Sequence, residues 1–453
     1  MIDFLKEAAG VAPSPRQLMW YDTGFYAFIH FGMNTFTDQE WGTGKEPESL
    51  FDPKGLDCRQ WARVLREAGI KGMVLTAKHH DGFCLWPSKY TEHSVKNAPC
   101  KRDVVAEAAS ACREEGIRFG VYLSPWDRNS ELYGTPEYND YYCNQLEELL
   151  TQYGDLFCIW FDGACGEGPN GKKQEYDFPR YIEMIRKYQP GAVIFGGPDV
   201  RWCGNEAGSS RVSEWAVVPG ELYELADIQT GPGPLAGEGS LSYMGCTDGL
   251  IGSMSSILYS KGLAFLPSEV DTSIRPGWFW HSQEEPRPLK KLFQIYLGSV
   301  GGNACLNLNI PPNRDGLLDE LDITRLKELR ALLDKEFGTP LKAKVEKIDG
   351  KYPTQPVYLV TLDKPVPRVK YVELREDISK GQRVESFRIE YAGGGDYPLF
   401  QGTTIGNRKI CALTDPFAEQ NRLLDDTGDQ VEQIVVRVTA ARGEVFIKNI
   451  DLF

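Results

Sequence analysis

The sequence predicts a (β/α)8-type barrel followed by a C-terminal β-sandwich, and three observations support this fold class. From Gly24 to about Phe337, short apolar runs alternate with amphipathic stretches, as in repeated βα units. The series is long enough for a closed barrel of about 250 residues, and no Gly-x-Gly-x-x-Gly turn follows the first strand. After Phe337 the runs become short and β-like, separated by turns. We therefore divide the 453 residues into a barrel, 1–337, and a sandwich, 338–453.

The barrel strands are predicted where a run is apolar on both faces, as in buried parallel strands. In chain order these runs cover residues 25–29, 73–77, 119–123, 157–161, 192–195, 264–266 and 304–308. Helix-like segments over 61–68 and 104–115 are followed by Gly69 and Gly116, which can adopt the left-handed conformation that ends a helix. A Gly/Pro-rich stretch, 230–237, predicts a long loop over the barrel mouth and leaves the number of strands near it open.

The C-terminal part begins after a helix predicted over 317–337. Its strands are predicted at 357–361, 371–374, 386–391, 433–438 and 445–447. No tryptophan follows Trp280, so this domain lacks a tryptophan platform on which a sugar could stack. We predict that its role is structural.

Composition restricts the class of partner. The 50 Lys and Arg residues against 64 Asp and Glu give a net charge of −14, which argues against nucleic acid or an anionic membrane. No run of about 20 apolar residues and no signal-peptide pattern are present, so we expect no membrane span. We favour a cytoplasmic location, although a mature secreted form would look the same. The 11 cysteines have no regular spacing and indicate reduced thiols. The oligomeric state is unknown at this stage.

Polar residues at the ends of the barrel strands are the candidates for catalysis, because the loops at that face converge on one cavity. Three of the five histidines follow the first two strands, and Asp162 follows the fourth in Trp160-Phe161-Asp162-Gly163. A structural, hydrogen-bonded role is the alternative for each histidine taken alone. For Asp162 the alternative is a helix cap, which the Gly/Pro-rich segment 166–173 disfavours.

A glycosidase needs a second carboxyl group, and three glutamates near later strand ends qualify: Glu167, Glu206 and Glu214. Spacing alone does not choose among them. Glu206 follows Arg201 and Trp202 in a loop where partial desolvation can raise the pKa of a carboxyl toward that of a general acid. A solvated loop glutamate is the alternative.

The main competing chemistry is a catalytic metal, since the sequence offers zinc-ligand types at His30, His79, His80 and Asp162. However, adjacent His79 and His80 point to opposite sides of an extended strand unless the backbone bends, and no His-Glu-x-x-His pattern is present. The Gly-x-Ser-x-Gly elbow of Ser/His/Asp hydrolases is also absent. We therefore expect neither a metal nor a cofactor.

Four motifs resemble those of a known family: Gly24 to Gly32, Lys78-His79-His80-Asp81-Gly82-Phe83, Trp160-Phe161-Asp162-Gly163 and Asn307-Leu308-Asn309-Ile310-Pro311-Pro312. Together they are similar to the α-L-fucosidases of glycoside hydrolase family 29, over essentially the whole chain. The resemblance implies a retaining, two-step hydrolysis that releases α-L-fucose, with Asp162 as nucleophile. It also implies a set of residues that hold fucose, namely His30, Glu40, Trp41, His79, His80, Tyr122, Trp160 and Arg201.

Segments 163–173 and 204–208 resemble the subgroup of this family that prefers α-1,3/1,4-linked fucose on branched, Lewis-type oligosaccharides. That resemblance implies Glu206 as the acid/base, with Glu214 as its main rival. The segment 274–280 is similar to the same subgroup, which implies that Trp278 closes the apolar side of the sugar site. The expected partner is a fucosylated oligosaccharide. Two other hypotheses stay open: a retaining glycosidase for a different sugar, and a non-catalytic carbohydrate-binding protein.

Overall fold

The computed structural model describes residues 2–220, 249–348, 352–393, 398–414 and 430–453. Its largest sheet contains eight parallel strands that nearly close into a barrel, in the order β5-β4-β3-β2-β1-β10-β9-β6. These strands are β1 (Phe25–Ile29), β2 (Gly72–Lys78), β3 (Arg118–Leu123), β4 (Cys158–Trp160), β5 (Val193–Phe195), β6 (Arg201–Trp202), β9 (Ser268–Ser273) and β10 (Cys305–Asn309). Between β6 and β9, β7 (Val217–Pro219) and β8 (Leu263–Phe265) form a separate antiparallel pair. The predicted fold class is confirmed.

The first four strands bring the predicted site residues to one end of the barrel. Every residue of β1, β2 and β4 is buried, because these strands are covered on both faces. His30 follows β1 directly, His79 and His80 follow β2, and Asp162 lies just beyond β4. Since parallel strands end at the same edge of the barrel, these side chains converge on its C-terminal mouth.

The later part of the barrel differs from the prediction. The run 264–266 was expected to be a barrel strand, but β8 pairs with β7 instead. The barrel position belongs to β9, whose sequence Ser-Glu-Val-Asp-Thr-Ser is polar at five of its six positions although all six residues are buried. β6 has only two residues, which is too short to produce a periodic pattern. The predicted loop over 230–237 lies outside the described residues.

Helices pack against the outward side chains of the barrel strands in the main apolar core. The helices of the described residues span Ile2–Gly10, Pro15–Thr23, Met33–Thr37, Cys58–Glu67, Val104–Glu115, Glu137–Gln152, Phe178–Tyr188, Met254–Ile257, Leu289–Ser299 and Glu320–Phe337, with short 3₁₀ turns at Glu48–Leu50 and Ile378–Lys380. Asp103 caps the helix that begins at Val104, and Gly116 ends it with φ 69°. In the described ranges, no helix combines the length and apolar character needed to cross a membrane.

The C-terminal domain consists of two antiparallel sheets. One has the order β11-β12-β17-β14-β15 and the other β16-β13-β18. Their strands are β11 (Ala343–Ile348), β12 (Val357–Val366), β13 (Tyr371–Glu376), β14 (Val384–Tyr391), β15 (Phe400–Gly402), β16 (Lys409–Ala412), β17 (Val431–Ala441) and β18 (Ile447–Leu452). Side chains from both sheets, such as Phe387 and Leu374, share one buried core. The predicted sandwich is therefore present.

The sandwich supports one loop of the barrel. Gln382 accepts a hydrogen bond from the backbone N–H of Ala216 at 2.7 Å and donates one to the carbonyl of Glu214 at 3.0 Å. Lys409 Nζ donates to the carbonyl of Val212 at 3.2 Å. These contacts fix the segment that leads away from the proposed acid/base loop, which favours the structural role we predict for this domain.

Candidate active site

Asp162 is held in one orientation at the mouth of the barrel. Its Oδ1 accepts a hydrogen bond from the backbone N–H of Ala164 at 2.7 Å, and its Oδ2 accepts one from the Tyr122 hydroxyl at 3.0 Å. His80 Nε2 lies 3.8 Å from the same Oδ2, and the Asp162 side chain is 24% exposed. The carboxylate is therefore fixed by two donors and still open to a ligand. This is the arrangement that a carboxylate nucleophile needs.

Each of the three buried site histidines uses its Nδ1 to contact the protein. His30 Nδ1 lies 2.8 Å from Asn309 Oδ1, and His80 Nδ1 lies 2.7 Å from Ser124 Oγ. Both partners act as acceptors here. The amide oxygen of Asn309 can only accept, and Ser124 donates its own proton to the carbonyl of Trp126. The Nε2 atoms of His30 and His80 are then hydrogen-bond acceptors.

His79 has the opposite arrangement. The Asn34 side-chain amide lies 3.3 Å from His79 Nδ1 and also contacts the carbonyl of Glu40 at 3.1 Å. An amide N–H can only donate, so His79 Nδ1 accepts and its Nε2 carries the proton. The site therefore offers both acceptors and a donor to the hydroxyl groups of a sugar.

Burial keeps these rings neutral. It lowers the pKa of His30 to about 3 and the pKa of His79 well below the ordinary value of 6.5. Burial also lowers the pKa of His80, although the negative charge of Asp162 opposes this shift. At neutral pH the histidines therefore act as uncharged hydrogen-bonding groups, which suits an uncharged sugar.

An aromatic wall lies beside these polar groups. Trp160 stacks on Phe195 with ring centroids 4.1 Å apart and contacts Phe28 at 4.9 Å. The Trp278 ring lies 5.1 Å from the His30 ring. The wall offers an apolar surface next to hydrogen-bonding groups, as a 6-deoxy sugar requires for its methyl group.

The adjacent residues Glu40 and Trp41 have different surroundings. Glu40 accepts hydrogen bonds from the backbone N–H groups of Trp278 at 2.8 Å and Phe279 at 3.2 Å. Trp41 is 49% exposed and contacts the ring of Trp126 edge-on at 5.6 Å. Glu40 therefore positions the loop that carries Trp278, whereas Trp41 forms part of the outer rim.

Glu206 is placed by β9 and faces the same site as Asp162. Thr272 Oγ1 donates to the carbonyl of Glu206 at 2.9 Å, which fixes the backbone there. Glu206 is exposed to solvent, yet partial burial of its carboxyl and the negative charge of Asp162 raise its pKa above the ordinary value. A hydrogen bond from Trp278 opposes this shift without cancelling it. A carboxyl with a raised pKa beside a second carboxylate is the pairing a glycosidase requires.

Glu214, the rival acid/base, is fully buried in an ion-pair network. It pairs with Arg201, and its Oε2 accepts from the backbone N–H of Arg211 at 3.0 Å. The Arg211 guanidinium also contacts the carbonyl of Cys203 at 3.0 Å. Through Arg211, Glu214 thus stabilises the segment that precedes Glu206. Arg201, predicted to bind sugar, also donates to the carbonyls of Leu266 and Trp215, and its sugar contact stays a prediction.

We expect Glu214→Ala to act on stability. The substitution leaves the Arg201 and Arg211 guanidinium groups without their buried carboxylate, which costs about 3–5 kcal/mol of unfolding free energy. Urea denaturation of the variant and the native protein measures this difference. Residual activity should follow the folded fraction and should not respond to azide. A variant of native stability that recovers activity with azide would instead make Glu214 the acid/base.

Sequence reasoning missed two carboxyl groups on β9. Glu269 accepts hydrogen bonds from Trp160 Nε1 at 2.8 Å and Asn307 Nδ2 at 3.1 Å, and burial raises its pKa well above the ordinary value. Asp271 accepts from Trp202 Nε1 at 2.7 Å. Burial, with a further contribution from the Glu206 charge, raises the pKa of Asp271 to about 8. Through these contacts, both carboxyl groups orient the two tryptophans.

The metal hypothesis gains no support from the geometry. In the part of the chain that the structure describes, no group of three or more His, Cys, Asp or Glu side chains is arranged to hold a metal ion. His79 accepts the Asn34 hydrogen bond at Nδ1 and carries its proton on Nε2, so in this tautomer neither ring nitrogen has a free lone pair for a metal.

Comparison with known proteins decides the family. Residues 17–213 match the model of the family described as Alpha-L-fucosidase. The solved structure of a glycoside hydrolase 29 family member from an unknown rumen bacterium has 36% identity and a TM-score of 0.80, covering 98% of this chain and 77% of that one. Alpha-L-fucosidase 1 of Arabidopsis thaliana is 40% identical over 433 residues, or 88% of this chain and 81% of the relative. The chain belongs to the α-L-fucosidases of glycoside hydrolase family 29.

A structure solved with fucose is also similar to this chain. The glycoside hydrolase family 29 fucosidase of Ruminococcus gnavus, solved in complex with fucose, has 28% identity and a TM-score of 0.79, covering 98% of this chain and 95% of that one. In the present α-L-fucosidase, most of the predicted site residues surround the barrel mouth: His30, Glu40, Trp41, His79, His80, Tyr122, Trp160, Asp162, Glu206 and Trp278. Arg201 is in the buried network with Glu214.

Proposed function

We propose that the enzyme is a retaining α-L-fucosidase in which Asp162 is the nucleophile and Glu206 the acid/base. Asp162 attacks the anomeric carbon, the glycosidic C–O bond breaks, and Glu206 gives its proton to the leaving oxygen. In the second step Glu206 takes a proton from water, which attacks the same carbon and releases the Asp162 carboxylate. The observation that carries this proposal is the Asp162 carboxylate at the barrel mouth, which is oriented by the Tyr122 hydroxyl and the Ala164 N–H and is 24% exposed.

The surroundings of the two carboxyls suit these roles. Partial burial and the charge of Asp162 raise the pKa of Glu206, so that it can hold the proton that the first step requires. Asp162 accepts two hydrogen bonds, which orient its carboxylate. The Tyr122 hydroxyl keeps its proton while it donates, because burial raises the pKa of Tyr122 well above 10. Oriented acid and nucleophile are the two groups that a double displacement needs.

The substrate we propose is α-1,3/1,4-linked fucose on branched, Lewis-type oligosaccharides. Besides the segments that resemble this subgroup, the rim of the site offers aromatic surface beyond the fucose pocket. Trp41 contacts Trp126, whose Nε1 donates to the carbonyl of Glu167 at 3.1 Å, and the Arg128 guanidinium lies 5.4 Å from the Trp126 ring. Such a rim can contact the other sugars of a branched glycan while fucose occupies the site.

One experiment tests the mechanism and the linkage preference together. Hydrolysis of a Lewis-type trisaccharide and of an aryl α-L-fucoside is followed by proton NMR from the first turnovers. We expect α-L-fucose to appear first and the β anomer to arise only by mutarotation, with kcat/KM at least about tenfold higher for the trisaccharide, equivalent to about 1.4 kcal/mol of added transition-state binding. Initial release of the β anomer would refute the retaining mechanism. Equal rates on both substrates would refute the proposed linkage preference.

A further inference from the structure

His281 lies between two carboxylates near the mouth of the site. Its Nδ1 is 2.8 Å from Asp38 Oδ1, and its Nε2 is 2.6 Å from Glu40 Oε1. A carboxylate only accepts hydrogen bonds, so both contacts are satisfied together when the ring carries a proton on each nitrogen. His281 therefore contacts these two carboxylates as an imidazolium ion.

The contacts continue from Glu40 to the aromatic wall. Glu40 Oε2 accepts from the backbone N–H of Trp278, and Glu40 Oε1 accepts from that of Phe279. The carbonyl of Trp278 in turn accepts from Asn309 Nδ2 at 2.7 Å, and Asn309 is the residue that orients His30. A continuous series of hydrogen bonds thus connects Asp38 to the ring that closes the sugar site.

The charges around His281 favour its charged form. Burial alone lowers the pKa of its imidazole, but hydrogen bonds to Asp38 and Glu40 and the charges of Glu40 and Glu284 outweigh this and raise it above the ordinary value. The hydrogen bond from His281 lowers the pKa of Asp38 in return. Arg314, 4.0 Å from Asp38, is the other cation that faces this group. Asp38 also adopts φ 60°, an uncommon conformation for a residue other than glycine.

We propose that His281 is a positioning residue that fixes Glu40 and Trp278 relative to each other and thereby shapes the fucose site. This inference rests on the proposed role of Glu40 and Trp278 in holding fucose. The proposal predicts that His281 contributes to substrate binding at low pH, where its ring is charged. Because the charged form carries both contacts, the contribution is lost as the pH rises through the raised pKa of His281, and KM increases there.

Two variants separate the contacts from the charge. His281→Gln removes the ring and its positive charge. Gly277→Ala keeps every titratable group but places a Cβ 2.6 Å from Glu40 Oε1 and 3.0 Å from His281 Cδ2, so the Glu40 carboxylate must shift. Glu285→Gln, an exposed carboxylate of the same loop, is the matched control and should behave like the native enzyme.

The first measurement is hydrogen–deuterium exchange of the free enzyme. We expect the amides of Trp278 and Phe279 to exchange about tenfold faster in His281→Gln and Gly277→Ala, because the hydrogen bonds to Glu40 protect them. Unchanged exchange in both variants would overturn the proposal. This readout needs no substrate, so it is independent of the roles proposed for Asp162 and Glu206.

The second measurement separates kcat from KM on the Lewis-type trisaccharide. We expect KM to rise about tenfold in both variants while kcat stays within about twofold. The native KM should increase at alkaline pH, and the KM of His281→Gln should no longer do so. A native-like KM with faster exchange would overturn the positioning role, as would the same alkaline increase of KM in His281→Gln. Failure of the retaining mechanism would show instead in the anomer released by the native enzyme.

Discussion

Asp162→Ala is expected to lower kcat by about 10⁴-fold or more, the scale of losing a catalytic nucleophile or its direct partner. Without the carboxylate no fucosyl-enzyme ester can form, and the remaining groups can only bind the sugar. The fold should survive, because the side chain is 24% exposed and water can replace it as partner of the Tyr122 hydroxyl and the Ala164 N–H. Steady-state rates and thermal unfolding of the same preparation measure both effects.

The stereochemistry of azide rescue makes the Asp162 test specific. Azide that enters the space left by the carboxylate attacks from the face that Asp162 uses, so the product is the β-L-fucosyl azide. Asp155→Ala is the matched control, since it removes an exposed aspartate before β4, at the opposite end of the strand. Native activity in Asp162→Ala, or an α-L-fucosyl azide as its rescue product, would contradict the nucleophile assignment.

The first half of the barrel was predictable because its strands are continuous apolar runs. β1 and β2 have apolar side chains on both faces, which distinguishes their sequences from those of half-exposed strands. The polar residues that follow each run are therefore easy to recognise in the sequence. β9 was missed for the opposite reason. It buries Glu269 and Asp271, whose polarity is satisfied by indole N–H groups 109 and 69 residues away in the chain. Such distant pairing leaves no local pattern.

The choice among the candidate glutamates also depended on distant contacts. Glu214 and Glu206 are both loop residues in the sequence, but Glu214 is buried against Arg201 and Arg211, whereas Glu206 is exposed and the charge of Asp162 helps to raise its pKa. Part of this signal was local, because Arg211 precedes Glu214 by three residues. The rest required the position of β9, whose Thr272 fixes the Glu206 backbone. The family resemblance selected Glu206 where spacing did not.

Glu206→Ala is expected to reduce kcat/KM on a Lewis-type trisaccharide by about 10²–10⁴-fold, the usual contribution of a general acid. An aryl fucoside with a good leaving group should lose less, because its oxygen departs without a proton. Azide should then accelerate turnover by attacking the fucosyl-enzyme from the face that water uses, which gives the α-L-fucosyl azide. Glu167→Ala, which removes an exposed carboxylate of the neighbouring loop, is the control that should keep native rates.

The pH profile provides an independent test of Glu206. The first step needs its protonated form, so kcat/KM of the native enzyme should fall as the pH rises through the pKa of Glu206, which lies above the ordinary 4.5 because of partial burial and the charge of Asp162. Glu206→Gln should lose this alkaline decline, whereas Glu167→Gln should keep it. An unchanged decline in Glu206→Gln would assign the titrating acid to another group. Asp271 would be the first to test, because its carboxyl is coupled to Glu206 and has a pKa of about 8.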